Sequence, residues 1–171
     1  LMVMSGQSMR GGIRGGMGSQ QSLTLDDAEA IMERCPSVEL VAPEAGQNAQ
    51  VKYRHTNTNT TILGATPAYL HVRNYAVKSG RFFTVREVHS AQKVAVVGAT
   101  TATTLFGDAN PVGKDIRIKG MRFTVIGVMA VKGSGGFGDP DDQIFVPIST
   151  AMRRVFGLEY VRMISVQARN M

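Results

Sequence analysis

The apolar positions of this chain fall in short runs separated by glycine, proline and small polar clusters, a pattern of many short elements rather than a few long ones. The first run opens at Thr24. Thr24 pairs with Asp27 as a capping box, and Asp26, Asp27 and Glu29 suit the positive end of a helix dipole. Leu25, Ala28, Ile31 and Met32 then recur at helical spacing until Pro36 ends the element. Residues 38–41 read as a short strand that stops before Pro43. Residues 50–55 and 60–65 read as a β-hairpin turning at the TNTN of residues 56–59. Thr66 followed by Pro67 marks a helix start over 67–72, and Thr84 with Glu87 marks another after GRFF. Residues 93–98 (KVAVVG) form an apolar strand, and residues 100–106 a helix that stops at Gly107. After a turn at Asn110–Gly113 come two strands, 115–119 and 121–131, joined at Gly120. In the first, Ile116 and Ile118 alternate with Arg117 and Lys119, as in a strand with one wet face. A second glycine-rich loop spans 133–142; strand 143–147, helix 149–156 and strand 161–168 close the chain. The sum is an α+β chain of about eight strands and four or five short helices. Long helices between strands are missing, which argues against a doubly wound sheet.

Composition narrows the function. Hydrophobic residues make up 43% and charged residues 19% of 171, ordinary globular usage and enough for a proper core. Aromatics are only 6%, with no tryptophan, which weakens any sugar-binding or single-strand nucleic-acid groove built on stacking. The net charge is +6, yet the basic residues are scattered, with no run of four and no nucleic-acid motif. Nucleic acid is therefore not an expected partner. Cys35 is the single cysteine, so no internal disulfide forms, and a buried small hydrophobe is its expected role. No stretch approaches the roughly 18–20 apolar residues of a membrane span. The opening LMVMSG is neither a signal peptide nor an initiator methionine, and reads as the end of an apolar segment. Residues 5–19, rich in Gly, Ser, Arg and Met, read as a flexible tether in preference to an RGG-type nucleic-acid arm.

The catalytic inventory is empty. Residues 133–138 (GSGGFG) match G-x-G-x-x-G, but Asp139-Pro140-Asp141-Asp142 and a strand follow where a phosphate-binding helix N-terminus is required. Asp139, Asp141 and Asp142 offer oxygens for calcium, but no glutamate closes an EF-hand loop, so a solvated acidic loop is the better reading. His55, His71 and His89 lie far apart, without metal-ligand spacing. No nucleophile elbow, zinc-protease motif or P-loop occurs. No catalytic, metal or cofactor-binding residue is assigned.

A run of segments in order carries a resemblance: SLTLDDAEAI (22–31), VAPE (41–44), GATPAYLHVRN (64–74), SGRFFT (79–84), KVAVVG, LFGDANPVGKDIRIKGMRFTVIGVM (105–129) and IFVPISTAMRRVFG (144–157). Together they resemble the periplasmic core domain of MacB-type ABC transporters and related FtsX-like permeases, over about residues 22–168.

The resemblance implies two lobes. Residues 1–20 would be a tether after a transmembrane helix, and 21–79 with 158–171 a porter-like βαβ-type lobe whose C-terminal part is truncated. Residues 80–157 would be an inserted, strand-rich Sabre-like lobe. It further implies a place on the periplasmic side of the bacterial inner membrane, in an integral membrane protein anchored by flanking helices. There a homodimer of the full permease would couple ATP hydrolysis mechanically to export through a periplasmic adaptor protein. ATP and magnesium would bind a cytoplasmic ABC ATPase, fused or separate, and no cofactor would bind this domain. The loop residues Lys132, Gly135, Gly136, Phe137, Asp139, Asp141 and Asp142 are the candidate partner interface. The rival readings are a lipoprotein-releasing or cell-division FtsX-like permease and, from another class, a soluble two-lobed ligand-binding module.

Overall fold

A computed structural model describes residues 1–6, 9–10, 13–14, 21–133 and 138–169, with the backbone alone at 9–10 and 13–14. Its centre is a strand, β4 (Val38–Tyr53), that runs sixteen residues without a break. The expected stop before Pro43 does not occur. Up to Glu44, β4 pairs only with β11 (Met163–Ala168), and from Ala45 only with β5 (Thr56–Ala65) and β8 (Asp115–Ile118). Pro43 thus lies where one side of the strand has no ladder, a position proline tolerates.

The β4–β5 turn is also tighter than expected. Tyr53 pairs with Thr56, so only Arg54 and His55 make the bend, with Arg54 at φ 52°. The TNTN segment lies inside β5, where its β-branched threonines suit an extended strand and a half-exposed face absorbs the asparagines.

β5 pairs in parallel with β10 (Gln143–Pro147), β10 with β7 (Val94–Val97), and β7 in parallel with β9 (Met121–Met129). β9 pairs with β8, and β8 returns to β4. The hydrogen-bonded path β4–β5–β10–β7–β9–β8–β4 therefore closes into a six-stranded barrel. Its interior follows from strand alternation: Ala49 and Val51, Ile62, Ile144 and Val146, Ala95 and Val97, Phe123 and Val125, and Ile116 and Ile118 form one buried cluster. Ala102, Leu105 and Phe106 of α4 (Ala99–Phe106) and Val155 complete that core.

Two smaller clusters lie outside the barrel. On the first, Leu63, Val96, Met129 and Phe145 of the wall meet Tyr69 of α2 (Tyr69–Val72) and Phe83. Phe83 sits between β6 (Val77–Gly80), an edge strand on β9, and α3 (Val85–His89). In the second, Ala28 of α1 (Leu25–Arg34) packs on Ile164 and Val166 of β11 and on Ile148 and Met152. The last two belong to α5 (Ile148–Thr150) and the π-helical turn Ala151–Phe156 that continues it.

Expectations change at Thr66 and Cys35 as well. Residues 1–20 are not wholly a tether. β1 (Met2–Met4) pairs with β11, because Val3 packs into the α1 cluster, and β2 (Met9–Arg10) pairs with β3 (Ile13–Arg14). Thr66 does not cap α2. Its carbonyl accepts from Tyr69 N at 3.0 Å, Ala68 holds the cap position, and the buried Thr66 hydroxyl has no partner. Strands of the expected insertion at 80–157 and of the flanking 21–79 segment share the barrel wall through the five-residue β5–β10 ladder. The capping boxes Thr24/Asp27 and Thr84/Glu87 form as read, and Cys35 is exposed rather than buried.

Candidate functional site

The loop leaving β9 and entering β10 returns to the barrel at the N-terminus of α4, and its charged residues are spent on holding it there. Asp141 is 6% exposed. One carboxylate oxygen accepts from Lys132 N (2.8 Å) and the other from Gly133 N (3.1 Å), while its carbonyl accepts from Thr100 N (3.0 Å). Asp139 accepts from Asp141 N at 2.9 Å and from the Thr100 hydroxyl at 2.8 Å. Asp142 Oδ1 is met by the hydroxyls of Thr60 (2.9 Å) and Thr101 (3.0 Å). The Asp139 and Asp142 carboxylates, bonded to Thr100 and Thr101, also sit at the positive end of α4. Lys132 is exposed but folds back along the surface: its ammonium donates to the carbonyls of Arg73 (2.6 Å) and Asn74 (2.7 Å) and lies 4.2 Å from the centre of the Tyr75 ring.

Gly98 makes the close approach possible, since a Cβ there would stand 2.3 Å from the Asp141 carbonyl oxygen. The acidic loop is therefore anchored: Asp141 is buried and Asp142 half-buried, while Asp139 stays exposed as a solvated loop would have it. Lys132, Asp139, Asp141 and Asp142 are brought together as its anchor, with both oxygens of Asp139 and Asp141 and Oδ1 of Asp142 accepting from protein donors. Gly135, Gly136 and Phe137 lie outside the described residues. After GSGGFG the next element is strand β10, so no helix N-terminus meets the motif. Among the described residues no group of three or more His, Cys, Asp or Glu side chains could hold a metal.

Beside this anchor lies a polar cleft of about 520 Å³ that sequence reading did not single out, lined by Glu44, Tyr69, Arg73, Tyr75, Gln143 and Arg162 among others. Glu44 is 6% exposed, accepts from the Ser165 hydroxyl at 2.8 Å and lies 3.5 Å from Arg73 Nε. Burial, with the Glu44 charge next, pushes the Tyr69 hydroxyl well above its usual range and keeps it protonated. Burial likewise raises Tyr75, whose hydroxyl accepts from Gln143 at 3.1 Å. Burial works most strongly against the Arg73 cation, but Glu44, Tyr69 and Tyr75 together outweigh it and the guanidinium is held the more firmly. The one signal in the sequence was a glutamate directly after a proline inside an apolar run. Its described lining carries Glu44, Asp139 and Asp142 against Arg73 and Arg162, with no cysteine or histidine, which suits binding or structure.

The comparisons place this architecture. Residues 1–171 match the MacB-like periplasmic core domain. The chain belongs to that family. The Macrolide export ATP-binding/permease protein MacB of Bdellovibrio bacteriovorus is 36% identical over 170 residues, covering 99% of this chain and 26% of the relative. The protein of the same name from Chlorobaculum tepidum is 38% identical over 167 residues, covering 98% and 26%. The chain thus spans about a quarter of the curated relatives it matches. Among solved structures, the extracellular domain of the noncanonic ABC-type transporter YknZ from Gram-positive bacteria superposes at TM-score 0.76 with 25% identity, over 88% of this chain and 75% of that one. The periplasmic region of MacB from Actinobacillus actinomycetemcomitans superposes at 0.79 with 22% identity, over 89% and 67%, and shares the fold. The MacB-like assignment is that of an extracytoplasmic domain of ABC transporter permeases.

Proposed function

We propose that this MacB-like domain couples ATP-driven motion of a transporter permease mechanically to export, by contact with a periplasmic adaptor protein. The match of the whole chain to the MacB-like periplasmic core domain carries the reading. Two features of the fold support the mechanical part. Leu1 and Val166 exchange backbone bonds, Leu1 N to Val166 O at 3.0 Å and Val166 N to Leu1 O at 2.8 Å. From there β1, β11 and β4 are ladder neighbours, and β4 continues for about 50 Å at 3.3 Å per residue into the barrel wall. A displacement at residue 1 therefore reaches the barrel through strands loaded along their length. The porter-like and Sabre-like lobes belong to this reading as two ends of one hydrogen-bonded system.

The adaptor contact is assigned to the tip of the 132–142 loop. Lys132, Asp139, Asp141 and Asp142 act as its footing, which leaves Gly135, Gly136 and Phe137 for the partner. The test is deletion of residues 134–137 in the full-length transporter. The expected result is loss of adaptor pull-down and of adaptor-stimulated ATP hydrolysis, with basal hydrolysis retained. Unchanged pull-down would refute the contact. The Glu44 cleft favours a second reading as a ligand-binding module, which a small molecule raising the melting temperature would support.

A further inference from the structure

Basic residues that are scattered in the sequence meet on the barrel wall. Lys52 of β4 stands directly opposite Arg117 of β8, and Arg117 directly opposite Arg122 of β9. All three are exposed, and with Arg54 and Asp115 they line a hollow of about 280 Å³. Four cations thus face one carboxylate, and that carboxylate is shared. Asp115 Oδ1 accepts from the Thr124 hydroxyl at 2.9 Å, and Oδ2 lies 3.7 Å from Arg122 Nε. Arg117 donates to the Gly120 carbonyl at 3.1 Å. Among the described residues, neither Lys52 nor Arg54 lies within salt-bridge distance of a carboxylate.

Like charges directly opposite on a sheet are destabilising. Register slip cannot relieve them, because the alternate positions Val51, Ile116, Ile118 and Phe123 are locked in the barrel interior. A row that costs stability, and in which only Arg122 has a carboxylate within salt-bridge distance among the described residues, is accounted for by an external partner.

We propose that Lys52, Arg117 and Arg122 form a docking surface for an acidic helix on a partner protein. The spacing fits: adjacent strands step by about 4.8 Å, and residues i and i+4 of a helix hold their Cβ atoms about 5–6 Å apart. A helix laid across the three strands brings one carboxylate to each cation. A lipid surface fits less well. Among the described residues the exposed large hydrophobics are Leu1, Met2, Met4, Met32, Val85, Val131 and Tyr160, none of them on these strands, so these strands offer no apolar wedge beside the row. Lys52 also lies eleven residues along β4 from Val41, the residue level with Leu1 across β11, or about 36 Å away. The inference is independent of what the 132–142 loop contacts.

The test uses the 171-residue chain and two fluorescent alanine-rich helical peptides of equal charge. One carries glutamates at successive i, i+4 positions, and the other has them spread around the helix. The aligned peptide is expected to bind about tenfold tighter and to weaken as salt rises, and Arg117→Glu is expected to cost it about tenfold or more. Lys78→Glu, on the far edge strand, is expected to change nothing. A second measurement guards against a folding defect: Arg117→Thr, which removes the repulsion, is expected to melt above the native protein. Equal binding of the two peptides, or unchanged binding by Arg117→Glu, overturns the proposal. So does binding of phosphatidylglycerol vesicles or inorganic phosphate, lost in Arg117→Glu, without binding of the aligned peptide. A lowered melting temperature in Arg117→Thr would make the row structural and also overturn it.

Discussion

Glu87 carries two local structures at once, and replacing it with glutamine separates its charge from its shape. Its carboxylate takes both terminal nitrogens of Arg81 at 2.8 Å, one to each oxygen. Oε2 also accepts from Thr84 N at 2.8 Å, closing the capping box of α3. Arg81 is the main reason the carboxyl titrates at about 2 instead of 4.5. Partial burial opposes the fall, and the Thr84 N–H adds to it. That difference would be worth about 3.4 kcal/mol if all of it reached the folded state. The Arg81 side chain, however, is 53% exposed, so solvent screening leaves about 1–1.5 kcal/mol. The sign follows from the folded carboxyl being the stronger acid. Stability is fully present above pH 4.5 and is lost as pH falls towards 2. Glu87→Gln is therefore expected to melt about 3–5 °C below the native protein at pH 7, and most of the gap should be gone by pH 2.5. Thermal melts of both proteins across that range read the effect, and added salt at pH 7 should narrow the gap. A gap below about 1 °C at pH 7 would mean that the exposed bidentate pair contributes nothing. A full gap persisting at pH 2.5 would mean that shape, not charge, carried the contribution.

Two further substitutions probe the positions that misled or escaped the sequence. Gly98→Ala places a methyl 2.3 Å from a backbone oxygen that cannot swing away. A loss of about 3 kcal/mol in urea unfolding is expected, and a loss under about 0.5 kcal/mol would show the loop anchor to be compliant. Thr66→Val keeps the side-chain shape and removes a buried hydroxyl without a partner. Stability should hold or rise by up to about 1 kcal/mol with an unchanged denaturant slope, and a loss of more than about 1 kcal/mol would reveal a partner for that hydroxyl.

Local chemistry was legible wherever a few neighbouring residues decide the outcome. Both capping boxes, the stop at Gly107 and the alternation of Ile116 and Ile118 in β8 all form as the spacing implies. Reading failed where a distant strand decides. Pro43 signals an ending only for a strand flanked on both sides, and β4 changes neighbours just beyond it. TNTN looks like a turn by composition, yet β10 on the other side of β5 holds the neighbouring Thr61 to Ala65 extended. The barrel itself was beyond reach, because its closure depends on β4 meeting β8 and β5 meeting β10, pairings with no local mark. An apolar run such as KVAVVG says that a strand is buried on both faces, not which strands flank it.

The same division governs the charges, and it inverts the order in which they first drew attention. Asp139, Asp141 and Asp142 crowd together in the sequence and suggest a free acidic surface. In the fold Asp139 and Asp142 meet threonine hydroxyls at the start of α4 and Asp141 meets the backbone N–H groups of Lys132 and Gly133, so these carboxylates are already engaged in holding the loop. Lys52, Arg117 and Arg122 are separated by up to seventy residues and suggest nothing. Strand pairing sets them side by side with too few carboxylates to go round. Density along the chain measures what a segment carries, whereas binding depends on what the fold leaves unpaid. For this domain the second quantity selects the barrel wall for electrostatic recognition, and it gives the acidic loop to architecture.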